Sequence, residues 1–182
     1  MPVLTNRKQQ IIDTAQQLFA EKGYEHATTQ LIARQAGVSE ALIFKHHGSK
    51  EKLLDFVIKS GYKRIIADNR GMLQEQEPLA LIHAIIDLPY KLVKDEPEFW
   101  KLQSRIIDLV PFARNQHDRF MQPVTGLLNK AFTDLGYKAA KKETIFLLLI
   151  IEMLWKLLST EDPKRAEDLR EFIQAKYAHQ VA

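Results

Sequence analysis

The chain of 182 residues contains no cysteine, which excludes disulfide bonds and thiolate chemistry and fits a reducing compartment. Glycine and proline occur only seven times each. No stretch has low complexity, so the composition indicates a folded chain. With 46% hydrophobic residues, the chain can bury a core in one or two small domains.

Long hydrophobic segments are also missing. The N-terminal residues MPVLTNRKQQ lack the apolar segment of a signal peptide. The longest apolar run, Ile145 to Leu158, is interrupted by Glu152 and Lys156 and is shorter than the ~20 residues that span a bilayer. We therefore expect a cytoplasmic protein with no membrane partner.

Apolar residues recur at helical spacing, and no segment shows the alternation of a strand. The sequence therefore predicts an all-α fold. Caps and breakers place the predicted helices at about residues 6–22, 29–36, 39–47, 50–70, 79–94, 97–109, 117–135 with a bend at Pro123, 139–159 and 163–179. The segment GMLQEQEP (71–78) is the best candidate boundary. We predict a DNA-binding domain over 1–48, a connecting helix over 49–71, and a ligand-binding and dimerisation domain over 72–182.

The positive charge is concentrated in the first part of the chain. Residues 1–70 contain eleven Lys and Arg against seven Asp and Glu, whereas residues 71–182 contain fifteen against sixteen. This excess suggests a polyanionic partner, although ordinary solubilising charge would look the same.

Residues 29–47 have the pattern of a helix-turn-helix unit. Such a unit needs a small residue between the helices, a glycine to turn the chain and an apolar residue to hold the second helix. Ala33, Gly37 and Ile43 fit these roles. A plain helical hairpin would use a similar pattern.

The second helix of this unit predicts a nucleic-acid contact. If Val38 and Ile43 face inward, the outward residues are mixed and include an apolar side chain that suits a thymine methyl group in a major groove. They are Ser39, Glu40, Ala41, Leu42, Lys45 and His46. Thr28, Thr29 and Lys50 lie at helix starts, where backbone phosphates would bind. Glu40 repels phosphate, so it should read a cytosine amino group or point away.

The segment from Arg7 to Leu54, with LFAEKGYEHATTQLIARQAGVS and then LIFKHHGSKEKLL, resembles the DNA-binding domain of tetracycline-repressor-like (TetR/AcrR) transcription regulators. The resemblance implies a three-helix head, a fourth connecting helix and a variable helical ligand-binding domain. It adds Phe44 to the DNA-binding set.

Four residues depart from the family pattern. Phe44 replaces the usual tyrosine, and His47 replaces a phenylalanine that packs in the head. Ala41 replaces a common glycine, and Leu42 a common polar residue. The contacts and sequence preference of the head therefore stay open.

The helix over 139–159 is apolar on every side along Ile145–Ile151 and must be covered all round. The resemblance implies that the last two helices of two subunits form a four-helix dimer interface. The alternative is a monomeric bundle with one central helix. The candidate interface residues are Leu148, Ile151, Leu154, Leu169, Phe172 and Ile173.

An aromatic-rich set is the candidate effector site of the second domain, although aromatic residues at helical spacing also form ordinary cores. If a small molecule binds there, we expect it to be largely apolar with one polar group. The candidate ligand-binding residues are Tyr90, Phe99, Trp100, Phe112, His117, Phe120, Met121 and Trp155.

Catalytic and metal sites have little support. His46 and His47 point about 100° apart on a helix and do not easily share a metal ion. There is no glycine-rich phosphate loop and no nucleophile beside a base. We expect no enzyme, no metal and no cofactor, but a homodimeric regulator that binds double-stranded DNA. The function predicted is a repressor that a small effector releases from a palindromic operator. The alternative is a ligand-sensing or interaction module whose head no longer binds DNA.

Overall fold

The structure is a computed structural model that describes residues 2–69, 71, 74, 77–159 and 162–178, with side chains from residue 7 onward. Within these residues the regular structure is helical, which confirms the all-α prediction. The helices are α1 (Pro2–Lys22), α2 (Thr29–Gln35), α3 (Glu40–His47), α4 (Lys50–Asp68), α5 (Pro78–Asp95), α6 (Pro97–Ile106), α7 (Pro111–Asp134), α8 (Ala140–Ser159) and α9 (Pro163–Lys176).

The helices form two compact units. Unit 1 comprises Met1–Arg64 and Glu98–Gln116, and unit 2 comprises Ile65–Pro97 and His117–Ala182. This grouping by contact places α6 and the start of α7 with the first three helices and most of α4. The division into 1–48, 49–71 and 72–182 is a division by role, and it stays a prediction.

Local sequence sets the boundaries of the short helices. The Thr28 hydroxyl accepts a hydrogen bond from the Leu31 backbone N–H at 3.1 Å, and the Ser39 hydroxyl accepts one from Leu42 at 3.3 Å. Both are N-caps that satisfy a free donor of the first turn. Gly37, with φ of +63°, turns the chain between α2 and α3 because glycine adopts this conformation at no steric cost.

Several boundaries differ from the prediction. The sequence predicts a first helix from about residue 6 with Thr5 as its N-cap, but α1 begins at Pro2 and Thr5 lies inside it. Helix α7 begins at Pro111, six residues before the predicted start, because a proline fits the first turn of a helix without losing a hydrogen bond. The predicted ends at residues 70 and 179 lie outside the described residues, and the predicted bend at Pro123 stays a prediction.

Each unit has its own core. In unit 1, α1 to α4 each contribute fully buried side chains, among them Phe19, Ile32, Ile43 and Leu53. In unit 2 the core cluster joins residues of α5, α7, α8 and α9. No helix of the described part has the length and apolarity that a bilayer crossing needs.

Candidate nucleic-acid interface

Helix α3 is attached to unit 1 by one side only. Ile43 is fully buried and His47 is 3% exposed, so these residues face the core. The Val38 backbone N–H donates to the Ala33 carbonyl oxygen at 3.0 Å and closes the turn onto α2. The rest of α3 is therefore free to present side chains to a partner.

The outer side of α3 carries most of the predicted contact residues. Ser39, Ala41 and Lys45 are exposed, and Leu42 is half-buried. Phe44 exposes 46% of its surface, an unusual fraction for a large aromatic side chain in water. The helix thus offers one cation within an apolar surface, a combination that suits a phosphate or guanine next to thymine methyl groups.

Glu40 is bonded within the protein. The Thr29 hydroxyl donates a hydrogen bond of 2.5 Å to the Glu40 carboxylate, which links the first turns of α2 and α3. The carboxylate therefore lies beside the first turn of α2, and its orientation relative to DNA stays a prediction. The Thr29 proton is used in this bond, so a phosphate contact by Thr29 requires the bond to break.

Lys50 also makes contacts inside unit 1. Its ammonium donates to the Glu25 carbonyl oxygen at 3.2 Å and lies 4.4 Å from the centre of the Tyr24 ring. The lysine thus holds the turn between α1 and α2, beside the Thr28 cap. A phosphate contact by Lys50 stays a prediction, and it would compete with the Glu25 bond.

His47 behaves as an aromatic core residue. Both of its ring nitrogens are buried without a hydrogen-bond partner, and its ring meets Phe56 edge-on at 5.0 Å. Burial, followed by the charges of Lys8 and His46, lowers the pKa of His47 to about 4. The neutral imidazole therefore fills the position of the expected phenylalanine.

His46, on the adjacent position, is half-buried. Its Nε2 atom is buried without a hydrogen-bond partner. A contact with a base edge or a phosphate would therefore have to use Nδ1, which limits the role that the sequence predicts for this residue.

The candidate ligand residues are divided between the units. In unit 1, Phe99 and Trp100 are buried against Tyr62, with ring centres 5.1 and 6.1 Å from it. Phe112 lies under the Lys59 ammonium at 5.0 Å. Phe99, Trp100 and Phe112 thus have aromatic or cationic neighbours within unit 1, and their binding of a ligand stays a prediction.

In unit 2, the candidate ligand residue His117 lies close to two other candidates, Phe120 and Trp155. It is buried, its Nε2 lies 2.9 Å from the Glu152 carboxylate, and its ring centre is 5.7 Å from that of Trp155 and 6.4 Å from that of Phe120. Met121 is buried in the core cluster.

Tyr90 packs against the Arg170 guanidinium at 4.8 Å. Burial raises the pKa of Tyr90 to about 12. Polar and aromatic groups thus occur together in unit 2, and their binding of a ligand stays a prediction.

The predicted dimer residues fall into two groups. Ile151, Leu154 and Ile173 are buried within unit 2, and their part in a dimer interface stays a prediction. Leu148 and Leu169 are half-buried, and Phe172 is 66% exposed.

The sequence-based selection missed the exposed apolar side of α8. Ile145, Leu149 and Met153 expose 60%, 64% and 46% of their surfaces, and they repeat every four residues along one face of the helix. The four-residue spacing places these three residues on one side of a helix. The sequence does not show that this side is exposed, because the opposite side of α8 is equally apolar.

Known proteins resemble this chain in sequence. A family model described as bacterial regulatory proteins, tetR family, matches residues 11–57. The HTH-type transcriptional repressor AcnR from Corynebacterium efficiens is 31% identical over 125 residues, which are 60% of this chain and 66% of the relative. The AcnR protein from Corynebacterium diphtheriae is 30% identical over 137 residues, which are 64% of this chain and 72% of the relative.

Solved structures share the fold at lower sequence identity. A transcriptional regulator from Saccharomonospora viridis, solved with choline, has a TM-score of 0.73 at 21% identity and covers 97% of this chain and 98% of its own. FadR from Bacillus subtilis, solved with stearoyl-CoA, has a TM-score of 0.72 at 18% identity and covers 96% and 99%. With a helix-turn-helix head whose outer face is exposed, the chain belongs to the tetR family of bacterial regulatory proteins and is a DNA-binding transcription regulator.

Proposed function

We propose that the protein is a homodimeric repressor that binds a palindromic operator and is released by a small, largely apolar effector. The observation that carries this proposal is the exposed outer side of α3, with Lys45 and Phe44 beside the half-buried Leu42. The two relatives described above are named repressors, which supports the sign of regulation.

Two copies of α3 would enter successive major grooves, which lie about 34–36 Å apart on one side of a duplex. The exposed apolar residues of α8 and α9 support the required dimer. Leu149 and Phe172 are each about two-thirds exposed, and apolar surface of this kind on two adjacent helices is typical of a protein interface. A two-fold axis between two copies would cover the same residues in both.

The effector would act by favouring a dimer in which the two α3 helices no longer match the groove spacing. A ligand shifts this equilibrium only by the difference between its affinities for the two states. The similar structures were solved with stearoyl-CoA and with choline. Stearoyl-CoA joins a long apolar chain to a charged portion, which supports a largely apolar effector with a polar group for this protein.

The test is binding of a mixed-sequence duplex by fluorescence anisotropy across a salt series. A DNA-binding head releases counterions, so log K should fall linearly with log salt, with about −0.9 for each phosphate neutralised. Lys45→Ala should weaken binding and make the slope less steep by about 0.9. Lys94→Ala, an exposed lysine of unit 2, is the matched control and should change neither.

The second candidate function is a ligand-sensing or interaction module that does not bind DNA. It is favoured by the Thr29–Glu40 bond, which keeps a carboxylate at the start of α3, and by Phe44 in place of tyrosine. A flat salt response in the same experiment would select this alternative. Selection of bound sequences from a random DNA pool would identify the operator. A palindromic consensus would support both DNA binding and a dimer.

A further inference from the structure

Helix α6 lies far beyond the head in sequence, but it belongs to unit 1 together with α1 and most of α4. Near its start, Phe99 is fully buried and fits against Gly61 of α4. A Cβ atom at position 61 would lie 2.1 Å from the Phe99 ring. Only glycine at position 61 leaves room for the Phe99 ring, so this contact requires Gly61.

The other end of α6 is attached to α1 by Arg105. The guanidinium Nη1 donates to the Ala20 carbonyl oxygen at 2.6 Å and to that of Glu21 at 3.5 Å. Both carbonyls belong to the last turn of α1, where helix carbonyl groups lack partners in their own helix. A cation at this end is favourable for the helix dipole as well.

The last turn of α1 leads directly into the predicted phosphate site. After Gly23, whose φ is +81°, the chain passes through Tyr24 and Glu25 to the Thr28 cap of α2. The Tyr24 ring packs on Phe19 at 5.5 Å. Lys50, at the start of α4, donates to the Glu25 carbonyl oxygen within this turn. Arg105 donates to the end of α1, which precedes the turn.

We infer that Arg105 is a positioning residue for DNA binding. It fixes the end of α1 and thereby the turn that places the backbone N–H groups at the start of α2. The inference rests on DNA binding by the head, and it extends the DNA-binding unit to α6, beyond the residues that match the family model. Arg105 itself bonds backbone carbonyls of its own chain, so it acts without contributing a phosphate contact.

The experiment compares Arg105→Gln with Lys101→Gln in the full-length protein. Lys101 lies one turn earlier on α6 and loses the same charge, which makes it the matched control. Anisotropy on a mixed-sequence duplex should show binding about three- to tenfold weaker for R105Q and about unchanged for K101Q. R105K keeps the charge but loses the planar fork of donors, and should lie between R105Q and the wild type.

The salt slope separates positioning from direct contact. R105Q should keep the slope of the wild type, because no neutralised phosphate is lost. A slope reduced by about 0.9 would make Arg105 a phosphate contact and overturn the inference. Equal affinities of R105Q and K101Q, with both variants shown to be folded by circular dichroism, would overturn it as well.

Two further outcomes are distinguishable. If R105Q is unfolded at the assay temperature, the affinity of R105K for the duplex is the test. A folded R105K that binds as tightly as the wild type refutes the inference. A wild type that binds no duplex at any salt concentration contradicts the proposed function itself. Amide hydrogen exchange gives an independent readout, since the Leu31 and Ile32 N–H groups, which donate to Thr28, should exchange faster in R105Q than in K101Q.

Discussion

The buried imidazole of His47 makes the stability of the protein depend on pH. In an unfolded chain a histidine has a pKa of about 6.5, whereas burial and the nearby charges of Lys8 and His46 lower the pKa of folded His47 to about 4. As pH falls, the unfolded state therefore binds the proton first. The free energy of unfolding decreases from about pH 6.5 and stops decreasing below about pH 4.

The size of the effect follows from the two pKa values. A shift from the ordinary value to about 4 corresponds to about 3 kcal/mol in total, since one pKa unit is about 1.4 kcal/mol. About 2 kcal/mol of this is lost between about pH 7.5 and about pH 5, where the unfolded histidine is almost fully protonated and the folded one is not.

The variant His47→Phe tests this reasoning. Phenylalanine can pack on Phe56, and it removes two ring nitrogens that have no partners. We expect H47F to be about 1–2 kcal/mol more stable at neutral pH, because an unpaired buried polar group is costly. We also expect it to lose about 2 kcal/mol less than the wild type on acidification to about pH 5.

Urea unfolding followed by circular dichroism at both pH values gives these free energies. His26→Phe, at an exposed histidine, is the control and should keep the pH dependence of the wild type. If wild type and H47F lost the same free energy between the two pH values, protonation of His47 would not be coupled to folding, and the assignment of a neutral core histidine would be wrong.

Three other predictions concern packing and assembly. Gly61→Ala should destabilise the protein by about 1–3 kcal/mol in urea unfolding, because the new methyl group overlaps the Phe99 ring. Phe99→Leu in the G61A background should recover part of this loss by making room, and no recovery would refute the contact. Leu149→Glu should convert the proposed dimer to a monomer in light scattering, whereas Leu109→Glu, at a residue that is 79% exposed in unit 1, should leave the mass unchanged.

Much of the fold could be predicted from the sequence because its signals are local. The Thr28 and Ser39 caps, and the glycines with positive φ at 23, 37, 48 and 136, act within a few residues of their own position. They define where helices end whatever the rest of the chain does. The start of α7 is also set locally, because Pro111 fits the first turn of a helix. The prediction placed this start six residues too late.

The candidate site could be predicted only in part. The outward residues of α3 follow from the helical period once Ile43 is placed inward. The bond between Thr29 and Glu40, eleven residues apart, and the bond from Lys50 to Glu25 are contacts between helices. No local signal distinguishes a side chain that faces DNA from one that turns toward a neighbouring helix.

The sequence by itself determined the helical class, the helix-turn-helix head and the family, because periodicity, capping and a run of about fifty residues carry that information locally. Only the tertiary structure decided that α6 lies in the same compact unit as the head, and that Arg105 bonds the end of α1. It alone also separated the buried side of α8 from the exposed one. The physical reason is that burial and hydrogen bonding between distant segments depend on how helices pack, and an apolar or charged residue has the same letter whichever way it faces.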